Sequence, residues 1–165
     1  MIMFNIGDKI VYPMHGAGTI ESVEEREVLG EKKKYYIMRI PVDDMKVMIP
    51  IDSMDDFGIR RITDSGALQG AIGALRSESV GEPNEWNKRY RYNLEKMRKG
   101  SICDVCEVVK SLALRDSEKP LSPGERKILE SAKRILFSEL MLMTGKGYDD
   151  VEEMINEAIF ELHKD

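Results

Sequence analysis

The chain has 165 residues, a formal net charge of −5 and a hydrophobic fraction of 42%. This length allows one domain or two small ones with a globular core. No segment is long and apolar enough to span a bilayer, and the first residues lack the regions of a signal peptide, so we expect a cytoplasmic protein. The negative charge argues against indiscriminate binding to nucleic acid but leaves room for a focused basic patch.

The first 62 residues are predicted to form a small antiparallel β-domain. Runs of branched and aromatic residues, each bounded by turn signals, predict strands at residues 9–12, 19–24, 35–40, 46–51 and 59–62. The segment His15-Gly16-Ala17-Gly18 is interpreted as a turn, and residues 28–31 as a hairpin connection. Short strands at this spacing indicate a small barrel or half-barrel.

From about residue 64 the hydrophobic period changes from two to 3.6, which predicts helices over residues 65–165. The first is marked by Leu68, Ile72 and Leu75. The second carries Trp86 and is expected to end at Gly100. The predicted fold class is therefore α+β, with a β-domain at residues 1–62 and a five-helix bundle at residues 65–165.

The remaining three helices have clear start signals. Ser101 is a suitable N-cap for the third. The sequence Ser122-Pro123-Gly124-Glu125 is a capping box with proline at the first helical position, and it starts the fourth. The fifth has an apolar stripe of Val151, Met154, Ile155, Ala158, Ile159 and Leu162.

No catalytic constellation is evident, so we predict a protein without enzyme activity, cofactor or metal. The sequence lacks a Walker A motif, a Gly-x-Gly-x-x-Gly motif and a nucleophile elbow. Cys103 and Cys106 could supply half of a zinc site, but His15 and His163 are far away in sequence. Because Cys106 falls in an apolar helical stripe, we interpret both cysteines as structural.

The helix that begins near Trp86 is unusual for this acidic chain. Residues 86–99 contain the only tryptophan and six basic residues against one acidic residue. At 100° per residue, Trp86 falls on the same stripe as Tyr90, Leu94 and Met97, which is typical of a core helix with a solvated basic face. The alternative is a DNA-binding device, because an apolar wedge flanked by Lys and Arg is a recurrent way to grip the minor groove. Periodicity leaves both readings open.

Four segments carry a resemblance to the CarD/CdnL transcription regulators of bacteria. They are residues 7–16 (GDKIVYPMHG), 82–90 (EPNEWNKRY), 93–96 (NLEK) and 121–126 (LSPGER). The resemblance covers almost the whole chain. The N-terminal part also resembles the polymerase-interacting module of transcription–repair coupling factors.

The resemblance implies a fold and a set of contacts. The β-domain would be a Tudor/SH3-like barrel that docks on the RNA polymerase β subunit. The helical domain would contact promoter DNA, without sequence specificity, at the upstream edge of the transcription bubble and stabilise the open complex. A monomer located at the nucleoid is expected. The DNA-binding positions are matched by Trp86, Lys88, Arg89, Arg91, Arg115 and Arg126.

The polymerase-binding positions are Arg26 and the docking strand with Val47, Met48 and Ile49. Met48 departs from the family pattern, because better-known members have an arginine there. We therefore expect docking to rely more on main-chain pairing and apolar side chains. A second hypothesis is a protein interaction module or scaffold that never touches DNA.

Overall fold

The computed structural model describes residues 3–13, 15–62, 65–78 and 82–161, and it has a five-stranded antiparallel sheet followed by five helices. The predicted α+β class is confirmed. The sheet has the strand order β4-β3-β2-β1-β5, so β4 and β5 are its edges. The strands are β1 (Lys9–Tyr12), β2 (Gly16–Val28), β3 (Glu31–Ile40), β4 (Met45–Pro50) and β5 (Arg60–Arg61).

The predicted turn at residues 15–18 is wrong for its last three residues, which belong to β2. Gly16, Ala17 and Gly18 pair with the last three residues of β1. A Cβ atom at Gly18 would lie 2.5 Å from the Arg39 carbonyl oxygen on the neighbouring strand. Glycine is needed there because two backbones approach closely, and the sequence pattern resembles that of a turn.

The hairpin connection between β2 and β3 is confirmed. It consists of Leu29 and Gly30, both with positive φ values of 53° and 81°. Two central residues with positive φ are typical of the tight turn whose twist matches that of the flanking strands.

Five helices follow the sheet. They are α1 (Ser65–Arg76), α2 (Trp86–Lys99), α3 (Ile102–Glu118), α4 (Pro123–Thr144) and α5 (Tyr148–Asn156), which continues as a π-helical segment over Glu157–Glu161. The caps predicted at Ser101 and Ser122 are confirmed, because both side chains accept a hydrogen bond from a backbone N–H of the first turn. Gly100 ends α2 with a left-handed φ of 71°. Leu162 and His163 lie outside the described residues.

The sheet packs directly against α4. Its own core contains Ile10, Ile20 and Met38, whereas Val11 and Ala17 point the other way and join the helical core. The backbone N–H of Ala17 donates to the fully buried Ser138 hydroxyl of α4 at 2.8 Å. The division into two domains at residues 1–62 and 65–165 stays a prediction. Within the described part of the chain, no helix is both long and apolar enough to cross a membrane.

Candidate nucleic-acid interface

Trp86 is the first residue of α2, and its side chain lies at the surface. It is 45% exposed, whereas Met97 at the other end of the same stripe is 1% exposed. Tyr90 and Leu94 are partly buried between them. The stripe therefore begins at the surface and ends in the core, because the indole at the first helical turn lies beyond the packed part of the bundle.

The exposed indole is held by specific contacts. Its Nε1–H donates to the Ser122 hydroxyl at 2.9 Å. Its ring is stacked on Tyr90, with a centroid distance of 5.6 Å and an interplanar angle of 20°. An aromatic pair of this kind contributes about 0.5–1.5 kcal/mol beyond the area that it buries. The side chain is thus oriented by the protein, although almost half of it is accessible to solvent.

Arg89 is bound to Glu125 and does not face solvent. Its Nε and Nη2 donate to the two carboxylate oxygens at 2.7 and 2.8 Å, and Nη1 donates to the Asn84 carbonyl oxygen at 3.0 Å. The two side chains are only 11% and 2% exposed. The hydrogen bonds to Glu125 raise the pKa of the Arg89 guanidinium. This geometry favours a role in holding α2 on α4 over a direct phosphate contact.

The start of α4 therefore contributes three residues that sequence reasoning did not assign to the site. Ser122 holds the indole, Glu125 holds Arg89, and Gly124 lies against Tyr90, where a Cβ atom would be 3.2 Å from the ring. The only pattern in the sequence that pointed to these residues was the capping box, which predicts where α4 starts but not which residues of another helix it contacts. The Glu125 carboxylate is used for Arg89, a use that the capping-box pattern does not predict.

Exposed cations follow Trp86 on the same helix. Lys88 is 73% exposed and lies 3.3 Å from Glu85, an exposed pair of little energetic weight. Arg91 is exposed and has no ion-pair partner among the described residues. Arg98 and Lys99 add positive charge in the last turn. Arg98 lies 3.6 Å from Glu95, which is a second exposed pair, and such surface pairs are weak enough to be exchanged for a polyanion.

Arg115 and Arg126 are more restricted than their predicted role suggests. Arg115 donates to Glu82 at 3.1 Å, and Arg126 donates to Asp116 at 2.9 Å. Their side chains are 34% and 45% exposed. A cleft of about 530 Å³ is lined by Trp86, Arg115 and the segment that joins α3 to α4. Arg115 thus faces the same cleft as the indole.

The residues predicted to bind polymerase lie on two parts of the sheet. Met48 is 39% exposed on the edge strand β4, Val47 is half-buried, and the Ile49 side chain is fully buried in the sheet core. Arg26 is exposed on the β2–β3 hairpin beyond the end of β4, where it pairs with Glu24 at 2.9 Å. The Ile49 side chain is therefore not available to a partner.

The two cysteines lie on α3. Cys103 is exposed, and Cys106 is fully buried. Burial raises the pKa of the Cys106 thiol, which disfavours the reactive thiolate. No group of three or more potential metal ligands occurs among the residues that the structure describes.

Comparison with known proteins gives a consistent result. Residues 71–156 match the family described as "CarD, C-terminal domain", and residues 4–63 match the "CarD-like/TRCF RID domain". The chain is similar to YdeB of Bacillus subtilis (strain 168), a protein named as a transcription factor. The identity is 41% over 143 residues, which cover 87% of this chain and 94% of YdeB.

A solved structure is also similar in sequence to part of the chain. It is the solution NMR structure of the 72-residue N-terminal domain of Myxococcus xanthus CarD. The identity is 30%, the TM-score is 0.32, and the match covers 37% of this chain and 81% of that domain.

Proposed function

The chain belongs to the CarD family of transcription regulators, and from this premise we propose that it bridges RNA polymerase and promoter DNA. The sheet binds the polymerase β subunit. The helical part contacts DNA at the upstream edge of the transcription bubble and stabilises the open complex. The protein acts at the nucleoid, where its partners are. Polymerase supplies the placement, so no sequence-specific reading of bases is required.

The observation that carries the DNA contact is the position of Trp86. A large aromatic side chain, 45% exposed, begins the basic helix of an acidic protein. Apolar side chains of this kind enter the minor groove and partly unstack a base step. Lys88 and Arg91 lie on the same helix, exposed and able to bind the flanking phosphates. Arg115 and Arg126 are paired with Glu82 and Asp116, and in this proposal they exchange these carboxylates for DNA phosphates.

The polymerase contact is supported by the edge strand β4. Met48 and half-buried Val47 offer apolar side chains there, and an edge strand offers unpaired backbone groups to an incoming strand. Arg26 lies beyond the end of the same strand and can add a charged contact. The match of residues 4–63 to the RID domain model supports a polymerase interaction for this part of the chain.

The experiment that tests the DNA contact is open-complex lifetime on a defined promoter. Trp86→Ala is expected to shorten the lifetime while leaving polymerase binding unchanged, because the wedge is lost and the sheet is untouched. The matched control is Tyr148→Ala, since Tyr148 is 40% exposed but belongs to the acidic helix α5. Equal lifetimes for wild type and Trp86→Ala would favour an interaction module without DNA contact.

The polymerase contact needs its own measurement. Arg26→Glu is expected to weaken binding to the isolated β-subunit lobe. Arg61→Glu is the control, because Arg61 is also exposed but lies on β5 at the opposite edge of the sheet. Unchanged affinity of Arg26→Glu would remove Arg26 from the interface.

A further inference from the structure

The indole of Trp86 is fixed on one edge and one face by neighbours that belong to the protein's own fold. Its Nε1 edge faces the Ser122 hydroxyl at 2.9 Å, and one face stacks on Tyr90. Tyr90 in turn lies against Gly124, where even a methyl group would be tight. The six-membered ring also lies near Gly124, where a Cβ atom would be 3.9 Å from Trp86 Cζ2, and the residue as a whole is 45% exposed. A side chain that is both exposed and this well fixed is unusual, because exposed side chains normally exchange rotamers freely.

Ser122 does more than cap α4. Its hydroxyl accepts from the Glu125 backbone N–H at 3.3 Å, which is the cap, and also from Trp86 Nε1 at 2.9 Å. Ser101 makes the equivalent cap on α3, accepting from the Asp104 backbone N–H at 3.1 Å, and its hydroxyl donates to the Asp104 carboxylate at 2.8 Å. Among the described residues, no hydrogen bond joins Ser101 to an aromatic side chain. Capping therefore explains one of the two bonds at Ser122. The second bond orients the indole.

The Arg89–Glu125 ion pair fixes the position of α2 along α4. It joins the first turn of α2 to the first turn of α4 through two nearly buried hydrogen bonds. Trp86 and Ser122 each lie three residues before one member of the pair. Relative sliding of the two helices would break the indole hydrogen bond and the ion pair together.

We propose that Ser122 is a positioning residue that holds the Trp86 indole in the orientation in which it enters DNA. The proposal rests on the function proposed above and deepens it. A side chain that is ordered before binding loses less conformational freedom on binding, so the complex is longer-lived. Ser122 touches no DNA in this scheme and acts only through Trp86.

A double-mutant cycle on the full chain tests this proposal. Ser122→Ala is measured in the wild-type background and in the Trp86→Phe background, which keeps an aromatic ring but lacks Nε1–H. In the wild-type background Ser122→Ala is expected to shorten open-complex lifetime by about two- to tenfold, the range that corresponds to one hydrogen bond. In the Trp86→Phe background it is expected to have little further effect.

Two further measurements separate positioning from helix capping. Ser101→Ala removes an equivalent cap and is expected to leave the lifetime unchanged, whereas Ser122→Thr keeps the hydroxyl and is expected to restore it. Because Trp86 is the only tryptophan, its fluorescence anisotropy reports its mobility directly. Anisotropy is expected to fall in Ser122→Ala and to be retained in Ser101→Ala and Ser122→Thr.

The outcomes distinguish this inference from the proposed function. Failure of Trp86→Ala to change the lifetime would overturn the proposed function itself. A short lifetime for Trp86→Ala with a normal lifetime for Ser122→Ala would overturn the positioning role alone. The same loss from Ser122→Ala in both backgrounds, or an equal loss from Ser101→Ala, would also overturn it, because a cap acts independently of the indole nitrogen.

Discussion

Arg60 and Glu139 form a bidentate ion pair between the sheet and α4, with N–O distances of 2.8 and 2.9 Å. The Glu139 side chain is fully buried, and Arg60 is 25% exposed. Arg60 Nε also donates to the Gly100 carbonyl oxygen at 3.0 Å, at the end of α2. One guanidinium thus connects β5, α2 and α4. In the proposed function this connection fixes the DNA-contacting helices relative to the polymerase-binding sheet.

We predict that Arg60→Met lowers the free energy of unfolding by about 3 kcal/mol, because the Glu139 carboxylate would stay buried after losing its guanidinium. Chemical denaturation measures this change. The control is Arg61→Met, whose pair with Asp8 lies at the surface and should contribute far less to stability. If the two variants lost similar amounts of unfolding free energy, burial of the Arg60–Glu139 pair would not make it more important for stability than the exposed pair.

The basic residues next to Trp86 should separate into two classes. Arg91→Ala is expected to change the free energy of unfolding by less than about 0.5 kcal/mol, because the side chain is exposed. It should weaken affinity for the polymerase–promoter complex and reduce the slope of log affinity against log salt by about one, since one phosphate contact is lost.

Arg89→Ala should behave in the opposite way. The Glu125 carboxylate is only 2% exposed, and in this variant it would stay buried after losing the Arg89 guanidinium. We therefore expect a destabilisation of about 3 kcal/mol. Thermal or chemical unfolding measures this value. A stable Arg89→Ala protein with a reduced salt slope would instead identify Arg89 as a phosphate contact.

Asp43 and Arg134 should make the stability of the protein depend on acid pH. The side-chain hydrogen bond from Arg134, at 2.6 Å, holds the pKa of Asp43 below its ordinary value. The Asp43 carboxylate is therefore protonated less readily in the folded state than in the unfolded state. The stabilising contribution is fully present above the ordinary pKa, near 4, and is lost as the pH falls through the folded pKa.

Unfolding free energies of wild type and Asp43→Asn are accordingly expected to differ at neutral pH and to converge below about pH 4. Denaturation curves across this range measure the convergence. In an Arg134→Met background this pH dependence should be smaller, because the hydrogen bond that lowers the pKa of Asp43 most is lost and only backbone hydrogen bonds, such as the one from Met45 N–H at 3.1 Å, still lower it. If wild type and Asp43→Asn, both with Arg134 intact, differed in unfolding free energy by the same amount at every pH, the predicted coupling between protonation of Asp43 and stability would be contradicted.

Gly18 should tolerate no side chain. A Cβ atom there would lie 2.5 Å from the Arg39 carbonyl oxygen and 2.6 Å from the Met38 side chain. We expect Gly18→Ala to destabilise the protein by about 2 kcal/mol or more, because backbone would have to move. Gly73→Ala is the control in α1, where nothing lies within 4 Å, and it should stabilise by about 0.5–1 kcal/mol. Thermal unfolding compares the two.

Local signals in the sequence were sufficient for most elements of the fold. Hydrophobic period, the caps at Ser101 and Ser122 and the glycine that ends α2 depend on interactions within a few residues, so they can be read directly. The exception is Gly18, which looks like a turn residue. Its role depends on close packing against a strand about twenty residues away in the sequence, which no local sequence pattern can predict.

Hydrophobic period and charge are enough to predict that Trp86 begins a basic helix in an acidic protein, and the family resemblance implied a DNA contact for that helix. The sequence could not show which basic side chains of this helix are exposed and which are buried in ion pairs. Lys88 and Arg91 are exposed, whereas Arg89 is nearly buried against Glu125. This difference, like the contact of Trp86 with Ser122, depends on the packing of α2 against α4, which joins residues 36 positions apart in the sequence.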